Sequence, residues 1–346
     1  MKLENKDVLV VGGGLAACAA AKAVADAGKK AAMVFPNGGA SELSSGCLDV
    51  FGVVPGETPE VVSCYADGIE KAAADPKHPL SAAKDSVQKG IDALVGLAAE
   101  GGYSLKGFDG RNVWIPNLMG TFTIAAYVPA TLENAVFEKG AANSVLVVGF
   151  NGNVAFNAVA AAMSYKKYQR QLGFKNQYYS LNLTLKGLEG RHKLSDSEVA
   201  DYLDTPEGVA DLADKLKEFM AYNAQSYDLI LLPPVLGFIN YKKALDTLEA
   251  ETGVKVAEVL TGCNAVVGYR MSRAIYKGLE KAGVTLLKGS TVDKLSVCEK
   301  VALDCTIGIH DQLHTGEKVT LEAPAVVLAT GGLLGGGVQA RRREVW

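Results

Sequence analysis

Lys6–Gly28 reads KDVLVVGGGLAACAAAKAVADAG. Val8–Val11 is a short apolar run, the pattern of a buried parallel strand. Gly12, Gly13 and Gly14 follow at once, then small residues of helical character to Ala27, with Gly28 placed to end the helix. The spacing Gly12-x-Gly14-x-x-Ala17 is the fingerprint of strand–turn–helix units that hold a nucleotide or flavin phosphate. Gly12 permits a tight turn out of the strand. Gly14 lets a phosphate approach the backbone, and Ala17 lets the helix lie close on the sheet. Leu15 and Ala16 open the helix, where N–H groups and a partial positive charge face an anion. Gly12, Gly13, Gly14, Leu15, Ala16 and Ala17 are therefore the first candidate cofactor residues. The alternative is a glycine turn that only packs a βα unit.

Working outward, Lys30–Phe35 reads as the second strand of the unit. Dinucleotide-binding units usually end this strand with Asp or Glu for the ribose hydroxyls. Here the chain has Phe35-Pro36-Asn37, which counts against ordinary adenosine binding. Gly38–Gly52, GGASELSSGCLDVFG, is too irregular for a strand or helix. Gly39, Ala40, Ser41, Ser44, Ser45 and Gly46 could wrap a flat, polar-edged ring such as an isoalloxazine. A mobile surface loop is the alternative, and the apolar Leu43, Cys47, Leu48 and Val50 count against it.

The 346 residues call for two domains, or one domain with a large insertion, and 49% hydrophobic residues can fill a substantial core. A net charge of −3 gives no basic footprint for nucleic acid. No apolar run approaches a membrane span, and the polar Lys2–Asp7 is no signal peptide, so an intracellular chain is expected. None of the six cysteines forms a CxxC pair, which gives no support for iron–sulfur or zinc sites. Cys298 and Cys305 read as reduced strand residues rather than a disulfide. The four histidines form no metal-binding pattern.

Ser81–Glu100 has helical spacing, and short extended pieces fill the stretch from Trp114 to Pro129. Ser144–Val148 leads into Gly149–Asn153 and an alanine-rich helix, a second βα unit read as packing. Ser195 and Glu198 form a capping box, and Thr205-Pro206 opens another helix. Leu229–Leu232 is a strand and Asn240–Thr252 a helix. Gly268–Ala282 is a helix, Val284–Lys288 a strand, and Val292–Glu322 an antiparallel meander around Asp311–Gly316. Ala325–Ala329 is a final buried strand, followed by the glycine-rich Thr330–Gly337.

The order GGGLAACAA, glycine/serine loop, long insertion, helix–strand–meander and VVLATGG resembles the two-dinucleotide-binding-domain flavoproteins of the glutathione-reductase and fumarate-reductase type. Ala329, Thr330, Gly331 and Gly332 match the segment that, in those proteins, returns to the flavin sheet beside the cofactor. The segments GGASELSSGCLDVFG, LPPVLGF, VVGYRM and ATGGLLGGG resemble the family of anaerobic glycerol-3-phosphate dehydrogenase B subunits over nearly the whole chain, Asp7–Gln339.

That resemblance implies an α/β, Rossmann-like FAD/NAD(P)-binding flavoprotein fold, with a discontinuous flavin domain at 1–60 and 261–346 and an inserted α+β domain at 61–260. It implies FMN, with FAD as the alternative, and a flavin-bearing A subunit and an iron–sulfur C subunit as partners. It also implies oxidation of sn-glycerol 3-phosphate to dihydroxyacetone phosphate with electrons passed towards quinone. The complex would be cytoplasmic and would meet the membrane only through the partner subunit. Members of that family continue past the ATGG segment, so a C-terminally truncated chain is expected.

No residue is assigned as catalytic base: His310 and His314 read as exposed turn residues. Arg270 could hold a substrate or flavin phosphate, or form a salt bridge. Trp114 and Tyr127 read as core. A self-sufficient soluble flavin oxidoreductase and a cofactor-free scaffold are the alternative readings.

Overall fold

The computed structural model describes residues 6–261, 265–297, 301–307, 316–332, 340–341 and 344–345. In chain order the main elements are β1 (Val8–Val11), α1 (Leu15–Asp26), β2 (Ala31–Phe35) and α2 (Leu80–Glu100). Then come β3 (Ser144–Phe150), α3 (Ala158–Leu172), β4 (Gln177–Leu183), α4 (Asp196–Leu203) and α5 (Pro206–Asn223). They are followed by β5 (Leu229–Leu232), α6 (Tyr241–Thr252), β6 (Lys255–Glu258), α7 (Ala265–Lys281) and β7 (Thr285–Lys288). Last are β8 (Thr291–Val297), β9 (Val301–Ile307), β10 (Glu317–Ala323) and β11 (Ala325–Leu328).

The chain forms two compact units. The first comprises Met1–Glu42, Ser86–Tyr103 and Met271–Trp346. Its sheet has the order β7-β2-β1-β11, all parallel, with Val8 opposite both Ala31 and Ala325. The alternating residues Leu9, Val11, Ala32 and Val34 share a core with Leu287, Cys305, Leu321 and Ala323, so the antiparallel meander β8-β9-β10 covers one face. Ala17, Cys18 and Ala21 of α1 are buried, as the small-residue pattern requires.

Helix α2 belongs mostly to this unit, not to an insertion beginning at 61. Two glycines explain it. A Cβ on Gly278 of α7 would stand 2.3 Å from the Leu97 carbonyl oxygen, and one on Gly101 would stand 1.9 Å from that of Ala274. The two helices thus meet backbone to backbone.

The second unit comprises Leu43–Asp85 and Ser104–Arg270. It starts earlier than 61 because the serine-rich loop pairs within it, Leu48 bridging Tyr127. Where an α+β insertion was expected, the core is a parallel sheet in the order β4-β3-β5-β6. Leu146, Val148, Ile230 and Leu232 face one core; Val145, Val147, Leu229 and Leu231 face the other. Both faces are apolar, the signature of a doubly wound sheet. Antiparallel pairs stand beside it, Val113–Pro116 with Phe122–Ala125 and Leu105–Gly107 with Tyr127–Pro129. The capping box of Ser195 and Glu198 and the Thr205 cap form as read. Among the described residues no helix is long and apolar enough to cross a membrane.

Candidate functional site

The glycine turn between β1 and α1 is built from four directions within the first unit. Gly12 has φ +129°, and a Cβ there would stand 2.1 Å from the carbonyl oxygen of Ala329. Glycine at 12 thus serves the close passage of the chain leaving β11, as well as the turn. The Gly12 N–H donates to the Val34 carbonyl at 3.0 Å, and the Ala329 N–H to that of Val11 at 2.8 Å. A Cβ on Gly13 would stand 2.4 Å from the Asn37 carbonyl oxygen, so the end of β2 closes on the turn as well.

Gly14 differs. It is the N-cap of α1 and has no side chain of its own to cap the helix, and the first turn holds no acidic residue. A Cβ there would meet only Ser41 Oγ, at an ordinary 3.5 Å. Ser41 Oγ also accepts the Leu15 N–H at 3.1 Å. Past β11, a Cβ on Gly331 or Gly332 would meet nothing within 4 Å among the described residues. A helix N-terminus that opens on a glycine, with no acidic residue in its first turn, fits the phosphate of a dinucleotide or flavin.

The structure therefore brings together Gly12–Ala17, Ser41 with its neighbours Gly39 and Ala40, and Ala329 and Thr330, which Gly331 and Gly332 follow in the chain. Gly39, Ala40 and Ser41 lie in a short 3-10 helix, Gly39–Leu43, inside the loop read as irregular. Ser44, Ser45 and Gly46 lie in the second unit, where Ser44 Oγ accepts the Gly46 N–H and Ser45 Oγ that of Cys47. Asn37 is used locally, its Oδ1 accepting the Gly39 N–H at 3.0 Å.

Tyr276 of α7 was not legible from the sequence. Its ring stacks against Phe35 at 5.2 Å between centroids, and its hydroxyl donates to the Gly13 carbonyl at 2.7 Å. Burial, and then the neighbouring Cys18 and Glu42, push this phenol up, so it stays a donor. The thiol of Cys18 points at the same carbonyl, and burial pushes it up to about 12. Cys305 is likewise raised by burial, to about 11. Neither is an activated thiolate. Among the described residues no cluster of His, Cys, Asp and Glu could hold a metal ion.

Arg270 requires a correction. It is fully buried in the second unit, and its guanidinium is occupied by protein. Nη1 and Nη2 reach Glu258 at 2.6 and 3.0 Å, and Nε donates to the Gly237 carbonyl at 2.5 Å. The Tyr241 ring lies 4.8 Å from its Cζ. Buried, with Nε and both Nη atoms bonded to protein, Arg270 is not available to a phosphate. It instead anchors the LPPVLGF loop, whose Leu236 N–H also bonds Glu258 Oε1 at 2.8 Å. Asp204 secures the other end by accepting the N–H groups of Phe238, Ile239 and Asn240. His310, His314, Cys263 and Cys298 lie outside the described residues. Trp114 packs against the second unit's core, and the Tyr127 hydroxyl meets that of Tyr65.

The family model described as FAD binding domain matches residues 7–344. The chain belongs to the FAD binding domain family, a class of Rossmann-like flavoproteins. It is 26% identical over 97% of its length to the B subunit of the anaerobic glycerol-3-phosphate dehydrogenase of Vibrio vulnificus strain YJ016, covering 75% of that protein. It is 28% identical over its full length to the probable B subunit of the same enzyme in Halobacterium salinarum, covering 78%. The resemblance drawn from its motifs is borne out. Among solved structures, the chain aligns with 3-ketosteroid delta1-dehydrogenase of Sterolibacterium denitrificans. The identity is 12% and the TM-score 0.37, over 96% of this chain and 48% of that one. It also aligns with glycine oxidase of Geobacillus kaustophilus, at 14% identity and TM-score 0.32, over 97% and 60%. Family and relatives agree on one class, flavin-dependent oxidoreductases.

Proposed function

We propose that this chain is the flavin-carrying B subunit of an anaerobic glycerol-3-phosphate dehydrogenase. The complex oxidises sn-glycerol 3-phosphate to dihydroxyacetone phosphate and passes electrons towards quinone. One observation carries the reading. The Gly12–Ala17 turn and the Ala329–Gly332 segment meet in a chain related almost end to end to proteins of that name. The first unit is assigned to the cofactor, and the second to contact with substrate or partner subunits. The cofactor is FAD rather than FMN, in line with the family's description.

A bound flavin supplies hydride acceptance and onward electron transfer. The chain's own residues bind and orient it. The α1 N-terminus faces the phosphate, Gly14 admits it, and Ser41 steadies the first turn. Among the described residues none is placed as a base for the substrate hydroxyl, and none forms a cysteine cluster to drain electrons. Both ends of the reaction are therefore assigned to partners, an A subunit that oxidises substrate and an iron–sulfur C subunit. The complex lies on the cytoplasmic face of the membrane through that partner.

The test is dye reduction with glycerol 3-phosphate by each subunit alone and in combination. The expected result is little turnover by this chain alone, restoration with the A subunit, and quinone reduction only with the C subunit. Rapid turnover by the isolated chain would point to a self-sufficient oxidoreductase. No contribution in any combination would point to a scaffold.

A further inference from the structure

The end of β2 poses a question that Asn37 does not answer. In dinucleotide-binding units a carboxylate at this place accepts the adenosine ribose hydroxyls. Here the strand ends in Phe35-Pro36-Asn37, and the Asn37 amide oxygen is bound to the Gly39 N–H. That bond is an Asx turn, and it launches the 3-10 helix Gly39–Leu43. The helix carries a carboxylate back onto Gly38, just past the strand end. A Cβ on Gly38 would stand 2.4 Å from Glu42 Cδ and 2.5 Å from Oε1. Glu42 is half-buried, and its charge reaches the phenol of Tyr276, which holds the Gly13 carbonyl.

We infer that Glu42 takes the part of the missing strand-end carboxylate: it accepts the ribose hydroxyls of the cofactor's adenosine half, and so selects FAD over FMN. The inference rests on the assignment of a flavin to this turn. The absence of Asp or Glu at positions 35–37 then no longer argues against adenosine. The carboxylate arrives five residues beyond Asn37, by way of a turn. Gly38 belongs to the device, because any side chain there would occupy the space in which Glu42 leans.

The experiment is titration of the apoprotein with FAD and, separately, with FMN, followed by flavin fluorescence and by calorimetry. The variants are Glu42→Gln, Glu42→Ala and Gly38→Ala. Losing a charge-assisted hydrogen bond to a hydroxyl costs about tenfold in affinity. Glu42→Ala should weaken FAD by about that factor or more and leave FMN within about twofold, since FMN has no adenosine. Glu42→Gln should fall between. Gly38→Ala should repeat the FAD loss by displacing Glu42, with thermal melts reporting that the fold is kept. Equal FAD affinity in wild type and Glu42→Ala would overturn the role of Glu42, as would equal weakening of FAD and FMN. If wild type binds neither flavin, the flavin assignment itself fails, a result separate from either of these.

Discussion

The phenol of Tyr276 and the carbonyl of Gly13 are joined by a 2.7 Å hydrogen bond, from the last third of the chain to its first turn. The middle glycine of the fingerprint is thus held by a side chain that the fingerprint does not contain. Tyr276→Phe removes the donor and leaves the ring against Phe35. The Gly13 carbonyl then keeps the weak thiol donor of Cys18, at 3.8 Å. The expected cost is about 1–2 kcal/mol of stability, with a weaker flavin association. Urea unfolding and flavin titration of the variant measure the two effects, and unchanged flavin affinity would show that the bond serves folding alone.

Gly12 and Gly14 should fail differently. A Cβ at 12 collides with the Ala329 carbonyl and needs a strained φ, so Gly12→Ala should lose about 2 kcal/mol or more of stability. A Cβ at 14 makes only an ordinary contact, with Ser41 Oγ, so Gly14→Val should fold and melt near wild type, yet retain no flavin. A folded Gly14→Val protein with its full flavin content would displace the phosphate from this turn.

Removing one partner of the buried Arg270–Glu258 pair strands the other. Arg270→Met should cost about 3–5 kcal/mol. Arg270→Lys should recover little of it, because one ammonium cannot serve both carboxylate oxygens and the Gly237 carbonyl. Changing both residues to apolar ones should cost less than the sum of the single changes. Denaturant melts of the three variants give the comparison; strict additivity would mean that the pair is not coupled.

Asp196, at the start of α4, has its carboxyl raised above the usual range, by burial first. The Glu258 charge adds to this, and the Asn153 amide opposes it. Its Oδ2 is buried without a hydrogen-bond partner. A raised pKa in the folded state means that the stability tied to the protonated form is lost as pH rises through that value. Asp196→Asn should therefore melt above wild type at neutral pH. The two should converge as pH falls towards the ordinary carboxylate range, near about pH 4. Melting curves across pH decide it, and a difference that does not vary with pH would rule out the titration.

Local chemistry made much of the fold legible. The Val8–Val11 run, the Gly12–Ala17 spacing, the Ser195 capping box and the Thr205-Pro206 helix start each form within a few residues, and each stands where its pattern put it. The ATGG match carried further, because β11 does pair with β1. What could not be read was fixed by distant backbone. Helix α2 joins the first unit because Gly278 and Gly101 let two helices touch, and neither glycine carries a local signal for that. Arg270 invites a phosphate reading until Glu258, on another element, is seen to occupy it. Glu42 carries no mark of its packing onto Gly38, because a turn brings it there.

The pairing of Val8 with Ala325 also sets an order of events on the ribosome. The parallel sheet of the second unit is contiguous from Ser144 to Glu258 and can close as soon as that stretch emerges. The first unit cannot: β1 waits for β7 and β11, and Gly12 waits for Ala329. A chain arrested before Pro324 should protect the later-made sheet from protease while its own N-terminal turn is still cut. In birth order the amino end comes first, and in folding order it comes last.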